Sequence, residues 1–393
     1  MKAGLLEWGN PLYAIRLTAQ PTQQGTRAMS EHLFSPLQLG TLDLPNRIAV
    51  APMCQYSADD GCASDWHIQH WMNLAMSGAG MVTIEMTDVA RRGRISHGCL
   101  GLYSEANASA AKRALDAARR VAAPGTKFGV QLAHAGRKAS CQRPWEGGQP
   151  LTGSDDAWPV VSASALPYAE GHPVPQELDE AGIGLLVENF GRAAERAAWV
   201  GFDFIELHSA HGYLLHQFLS PLSNRRTDQW GGSLENRMRF PLAVARRVRA
   251  AAPKLMLGAR LSVTDWVAGG FDVDDAILVA KAYKLAGASY ICCSSGGNSP
   301  LQQMPGGPGY QVHLATAIKK GANIATRAVG LIDNPHQANK IITSGNADMV
   351  ALGRAFLADP RWPWRAAAQL GHSISAPPQL LRSVPLLKQW AAM

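Results

Sequence analysis

Eight short, nearly continuous apolar runs, separated by longer amphipathic stretches, constrain this chain more than any other feature. They fall at 47–53, 80–87, 127–134, 203–211, 255–262, 289–296, 324–331 and 347–354. Runs of this length without polar alternation suit strands covered on both faces, as a parallel sheet requires. The stretches between them have helical spacing at 105–121, 184–199, 234–251, 272–285 and 335–344. Asp272 and Asn334 stand where N-caps belong, and Gly287 and Gly345 where helices should stop. No GxGxxG turn follows the first run, so eight successive βα units predict a closed TIM-type (β/α)8 barrel rather than an open dinucleotide-binding sheet.

A chain of 393 residues with 47% hydrophobic residues can bury one large core, and barrels of this kind are commonly a single domain. Residues 1–30 match no periodic pattern and are expected to be a flexible N-terminal extension, with the barrel occupying 31–393. The segment 140–180, rich in Gly, Pro and Trp, follows the third run and is too long for a simple connection. It is expected to form a lid or a small β-hairpin over the site; a flap without chemical role is the other reading.

Several function classes are disfavoured. Lys and Arg total 37 against 30 Asp and Glu, but the excess is scattered, which argues against nucleic-acid binding. Two local clusters, Arg91-Arg92-Gly93-Arg94 and Arg225-Arg226, suit phosphate or carboxylate groups, or solvated surface. No apolar run approaches the roughly 18 residues of a transmembrane helix. Glu7, Gly9, Asn10 and Pro11 interrupt the N-terminal segment, so a signal peptide is not expected and a cytoplasmic location is. The six cysteines form no CxxC pair, so any special cysteine must act singly.

Barrel enzymes carry reactive groups at the C-terminal ends of their strands. The first run ends in Pro52-Met53-Cys54-Gln55-Tyr56, the third contains Gln131, and the fourth leads into His208-Ser209-Ala210-His211-Gly212-Tyr213. Arg260 lies in the fifth, Gly330 near the end of the seventh, and Gly353-Arg354 at the end of the eighth. Glycines in these last two positions match the usual barrel phosphate site, or are plain turns. His208 and His211 invite a zinc reading, but no third ligand stands at a supporting position, so no metal is expected. Backbone-bonded structural histidines are the bland alternative; paired donors for a developing oxyanion explain them better.

The segment HSAHGYLLHQFLSPLSNRRTDQWGGSLENR, residues 208–237, resembles the signature of the old yellow enzyme family, and RIAVAPMCQYS and ADMVALGRAFLADPRWPW resemble its first and last strands. Cys54 together with the His-x-x-His pair resembles the thermophilic-like, xenobiotic reductase subgroup. The resemblance implies a flavoprotein oxidoreductase with non-covalent FMN, NADPH or NADH as hydride donor, and an enone or other activated alkene as acceptor. By the same resemblance His208 and His211 bind the substrate carbonyl, Tyr213 delivers a proton, and Cys54 tunes the flavin. Tyr56 closes over the substrate, while Pro52, Met53, Met86, Gln131, Arg260, Gly330, Gly353 and Arg354 hold FMN. Arg382, and the tail aromatic Trp390, would complete a neighbouring subunit's pocket in a homodimer or homotetramer. Dienoyl-CoA reductase, a longer relative with an iron–sulfur cluster, fits less well, since no cysteine follows Cys293. One departure is the glycine-rich loop with Gly306, Gly307 and Gly309, where some xenobiotic reductases place a tryptophan. Another FMN barrel dehydrogenase, or a redox sensor acting through Cys54, are the alternatives.

Overall fold

The computed structural model describes residues 32–152, 157–374 and 376–391, so the expected N-terminal extension lies outside the described residues. All eight apolar runs become strands: Ile48–Val50, Met81–Asp88, Lys127–Ala133, Phe204–Ser209, Met256–Ser262, Ala288–Ser294, Ala325–Ala328 and Met349–Leu352. They pair in parallel, each with its sequence neighbours, and the eighth closes on the first. Met81–Asp88 is as long as its run, while the other seven strands are shorter than theirs; in the first, pairing stops at Val50 and the chain turns toward the mouth of the barrel.

Side-chain capping sets the helix starts. The helix Glu180–Val200 begins four residues before the expected 184 because Asp179 accepts a hydrogen bond from the Gly182 amide. Asp272 caps the helix Val273–Leu285 and Asn334 the helix Pro335–Thr343, as their places in the sequence predict. Gly287 and Gly345 then take φ of 99° and 69°, as helix-stopping glycines do.

Two features differ from expectation. An antiparallel hairpin, Leu37–Leu39 with Leu42–Leu44, closes the N-terminal end of the barrel, where Leu39 and Leu44 pack on Met81, Phe204, Met256 and Met349. In the 140–180 segment, Val161–Ser162 pairs with Gln176–Glu177 in parallel, so these strands form no hairpin. A parallel pair needs a long crossover, which the intervening residues supply. Above the plug the barrel interior turns polar: Glu206 accepts from Gln131 and Tyr290, both at 2.8 Å, and pairs with Arg327. Glu206 and Arg327 are both fully buried, so each needs the other to stay charged inside the barrel.

Candidate active site

Strand four delivers the site. After Ser209 the chain reverses through His211 at φ 59° and Gly212 at φ 71°, then enters the short helix Leu214–Leu219. Only glycine fits the second of these positions, because a Cβ there would lie 2.2 Å from the carbonyl oxygen of Gly297. Gly297 faces the same limit, with its hypothetical Cβ 2.5 Å from His211 Cα. The loops after strands four and six are therefore in backbone contact.

This turn gathers three rings. His208 and His211 lie 5.0 Å apart between centroids at 84°, and His208 meets Tyr213 at 4.9 Å and 85°. The Ala210 amide donates to His208 Nδ1 at 3.2 Å, which leaves the ring proton on Nε2. His211 Nε2 lies 2.7 Å from Ser294 Oγ, so this nitrogen already has a protein partner. Burial, with the charge of Arg260 next, holds both histidines well below the ordinary imidazole range, and both are neutral at pH 7. Burial also pushes the Tyr213 phenol well up, so it keeps its proton.

A cavity of about 740 Å³ opens at the C-terminal ends of the strands, and Pro52, Met53, His211, Arg260, Gly330, Gly353 and Arg354 all line it. Its size is that of a site for a cofactor or comparable ligand. Arg260 Nε is buried there without a hydrogen-bond partner, which suits an electron-rich, anionic ring edge. Gln131 is buried and does not line the cavity; it gives its amide N–H to Glu206, which leaves its amide oxygen free to accept from a ligand. Gly330, at φ 114°, lies beside Gly353-Arg354 on the cavity wall, as the barrel phosphate reading requires. These residues fit FMN.

The remaining predicted residues do not line this cavity. Cys54 and Tyr213 pack against an apolar group that contains Met86, Ala133 and Val160. Burial pushes the Cys54 thiol well up, so it is no thiolate. Tyr56, at φ 50°, sets its ring edge-on to Trp145 of the long insertion at 5.9 Å, which brings that insertion to the mouth. Arg382 sits exposed in the turn Pro378–Ser383 and lies outside the cavity of its own chain, and the Trp390 side chain is outside the described residues. Neither basic cluster lines the cavity: Arg91 and Arg94 pair with Asp60, and Arg226 with Asp228 and Glu177. Among the described residues no group of His, Cys, Asp and Glu could hold a metal ion. No described helix is long and apolar enough to cross a membrane.

Three elements escaped sequence reasoning. Lys138 donates to the carbonyls of His211 and Gly297, and its ammonium lies 5.2 Å from the Tyr213 ring centre. It follows strand three in the single 3-10 turn Gly136–Lys138, too short to leave a periodic signal. Glu206 and Arg327 were visible as charges inside apolar runs, a pattern that asks for a buried partner. The pair His216 and Asp265, 3.1 Å apart, lies behind the His211-Gly212 turn.

Residues 32–372 match the profile of the NADH:flavin oxidoreductase / NADH oxidase family. An NADPH dehydrogenase of Listeria innocua serovar 6a is 41% identical over 89% of this chain and 98% of its own length. One from Geobacillus sp. (strain WCH70) is 40% identical over 90% and 99%. Among solved structures, morphinone reductase superposes with a TM-score of 0.72 at 29% identity, covering 89% of this chain and 92% of that one. Its complex with tetrahydroNAD gives 0.68 at 29% identity, covering 88% and 93%. A 2-naphthoyl-CoA reductase gives 0.76 at 25% identity, where the match covers 89% of this chain but only 54% of the other.

Proposed function

The chain belongs to the NADH:flavin oxidoreductase / NADH oxidase family, and from that premise we propose that it is an ene-reductase, reducing the C=C bond of α,β-unsaturated carbonyls and related activated alkenes in a ping-pong sequence. FMN, when bound, supplies the hydride chemistry, accepting from NADPH or NADH and donating to the alkene. Backbone from Pro52, Met53 and Met86, the Gln131 amide, the Arg260 guanidinium and the wall at Gly330, Gly353 and Arg354 would hold it. Cys54, a neutral polarisable thiol, would tune it.

As neutral imidazoles, His208 through Nε2–H and His211 through Nδ1–H, with its Nε2 accepting from Ser294 Oγ, donate to the substrate's carbonyl oxygen, and these bonds strengthen as negative charge gathers there. Tyr213, a protonated phenol against His208, gives its proton to the α-carbon. Tyr56 closes over the substrate beside Trp145. Arg382 enters the pocket of a neighbouring subunit in a homodimer or homotetramer, and the enzyme acts in the cytoplasm.

The observation that carries this reading is the pair of neutral, perpendicular imidazoles 5.0 Å apart, with the protonated Tyr213 at 4.9 Å and Arg260 on the wall of the same cavity. The test is an anaerobic titration of the flavoprotein with NADPH, then with 2-cyclohexenone. Bleaching of the flavin band by the first and its recovery with the second are expected. Bleaching without recovery, combined with reduction by trimethylamine, would instead favour an amine-oxidising enzyme of the same fold. The redox-sensor alternative finds no support in Cys54, whose thiol stays protonated.

A further inference from the structure

The turn that carries the catalytic rings puts a non-glycine residue, His211, at φ 59°, a conformation that needs external support. Its supports are buried behind it. The Gly212 amide donates to His216 Nδ1 at 2.9 Å, and Gln217 Nε2 donates to the Gly212 carbonyl at 2.7 Å. The Gly212 peptide is thus gripped at its N–H and, across the same residue, at its C=O. Because His216 Nδ1 accepts, the ring proton belongs on Nε2, which faces Asp265 Oδ1 at 3.1 Å. Both side chains are fully buried. The approach does not meet full hydrogen-bond geometry, and neither atom has another partner. The second carboxylate oxygen of Asp265 accepts from Ser220 Oγ at 2.6 Å and from the Phe271 amide at 2.8 Å.

We infer that His216 and Asp265 are a positioning pair: the carboxylate selects the tautomer of His216 that can accept from Gly212, and so fixes where His211 and Tyr213 stand. The inference rests on the reading of those two residues as catalytic groups. Asp265 must accept on both oxygens, from Nε2–H on one side and from the Phe271 amide on the other. An asparagine there has one acceptor oxygen. Turned toward Phe271, it presents its NH2 to His216 and drives the ring proton to Nδ1, against the Gly212 N–H. Turned the other way, its NH2 meets the Phe271 amide. Either orientation sets two donors face to face.

The test uses Asp265→Asn in the FMN-loaded enzyme with two readouts. Histidine 15N NMR reads the tautomer of His216, and anaerobic stopped flow separates reduction by NADPH from reoxidation by 2-cyclohexenone. The expected result is a proton on Nε2 in the parent and on Nδ1 in the variant. Reoxidation should slow by about tenfold to a hundredfold, the scale of a displacement near 1 Å, with reduction by NADPH little changed. An unchanged tautomer, or a switched tautomer with parental reoxidation, overturns the inference. Should Asp265→Asn not fold, His216→Phe removes the acceptor for Gly212 while leaving the carboxylate in place, and parental reoxidation in that variant overturns it equally. If the parent enzyme itself is not reoxidised by the enone, the ene-reductase reading fails, while the NMR comparison still decides the tautomer.

Discussion

Lys138 holds its ammonium 2.8 Å from the carbonyl oxygen of His211, and an equal bond to Gly297 ties the loop after strand four to the loop after strand six. A half-buried lysine thus ties down the turn that carries His211 and leads into Tyr213, and its ammonium lies over the Tyr213 and Tyr168 rings at 5.2 and 4.7 Å.

Burial, with the neighbouring Arg137 charge next, lowers the Lys138 pKa from 10.5 to about 8. Enone reduction should therefore decline as pH rises through about 8, and Lys138→Met should show a low, flat profile there. Stability should move the other way. Between pH 8 and 10.5 the unfolded chain holds the proton that the native protein has lost, so the lysine's contribution to stability rises across that window. Rate profiles and thermal melts of both proteins over pH 7 to roughly 10.5 check both signs.

His208→Ala and His211→Ala should each lower kcat by about 10²–10³, the usual loss for one oxyanion donor. Their combined loss should fall short of the product, since both rings serve one oxygen. Steady-state rates of the two single variants and the double variant measure this.

Arg260→Met should weaken FMN retention roughly tenfold to a hundredfold, matching about 1.5–3 kcal/mol for a charged hydrogen bond. Flavin fluorescence during dilution gives the dissociation constant. Retention equal to the parent's would remove Arg260 from the cofactor site.

Glu206→Gln should cost about 3–5 kcal/mol by stranding the Arg327 charge inside the barrel. Replacing both partners, Glu206→Leu with Arg327→Met, should cost less than the single change. Denaturant titration of each variant would decide; a double variant less stable than Glu206→Gln would contradict the account.

Cys54 should resist iodoacetamide near neutral pH, because burial keeps its thiol protonated. Mass spectrometry of the native and unfolded protein would show alkylation at this position only after unfolding.

The barrel was legible because its signals are local. Eight apolar runs predict eight strands, and Asp272 and Asn334 mark helix starts one residue from where they occur. The hairpin that plugs the barrel was not legible: Leu39 and Leu44 become core only because Phe204, Met256 and Met349 from distant strands converge on them. The insertion gave a length and a composition, but parallel pairing of Val161–Ser162 with Gln176–Glu177 depends on tertiary placement.

By itself the order of residues determined which elements form, that their polar ends share one face, and that His208, His211 and Tyr213 travel together on a single turn. Periodicity, capping and motif spacing act over a few residues and can be read in one dimension. Only the tertiary structure decided how that turn is held. Lys138, Asp265 and Gly297 come from three other segments: Lys138 and Gly297 meet the turn, and Asp265 meets its local support His216, only once the barrel closes. Closure also decided protonation, because burial beside Arg260 is what keeps the two histidines neutral. Desolvation is a property of the whole packed molecule, and no run of neighbouring residues encodes it.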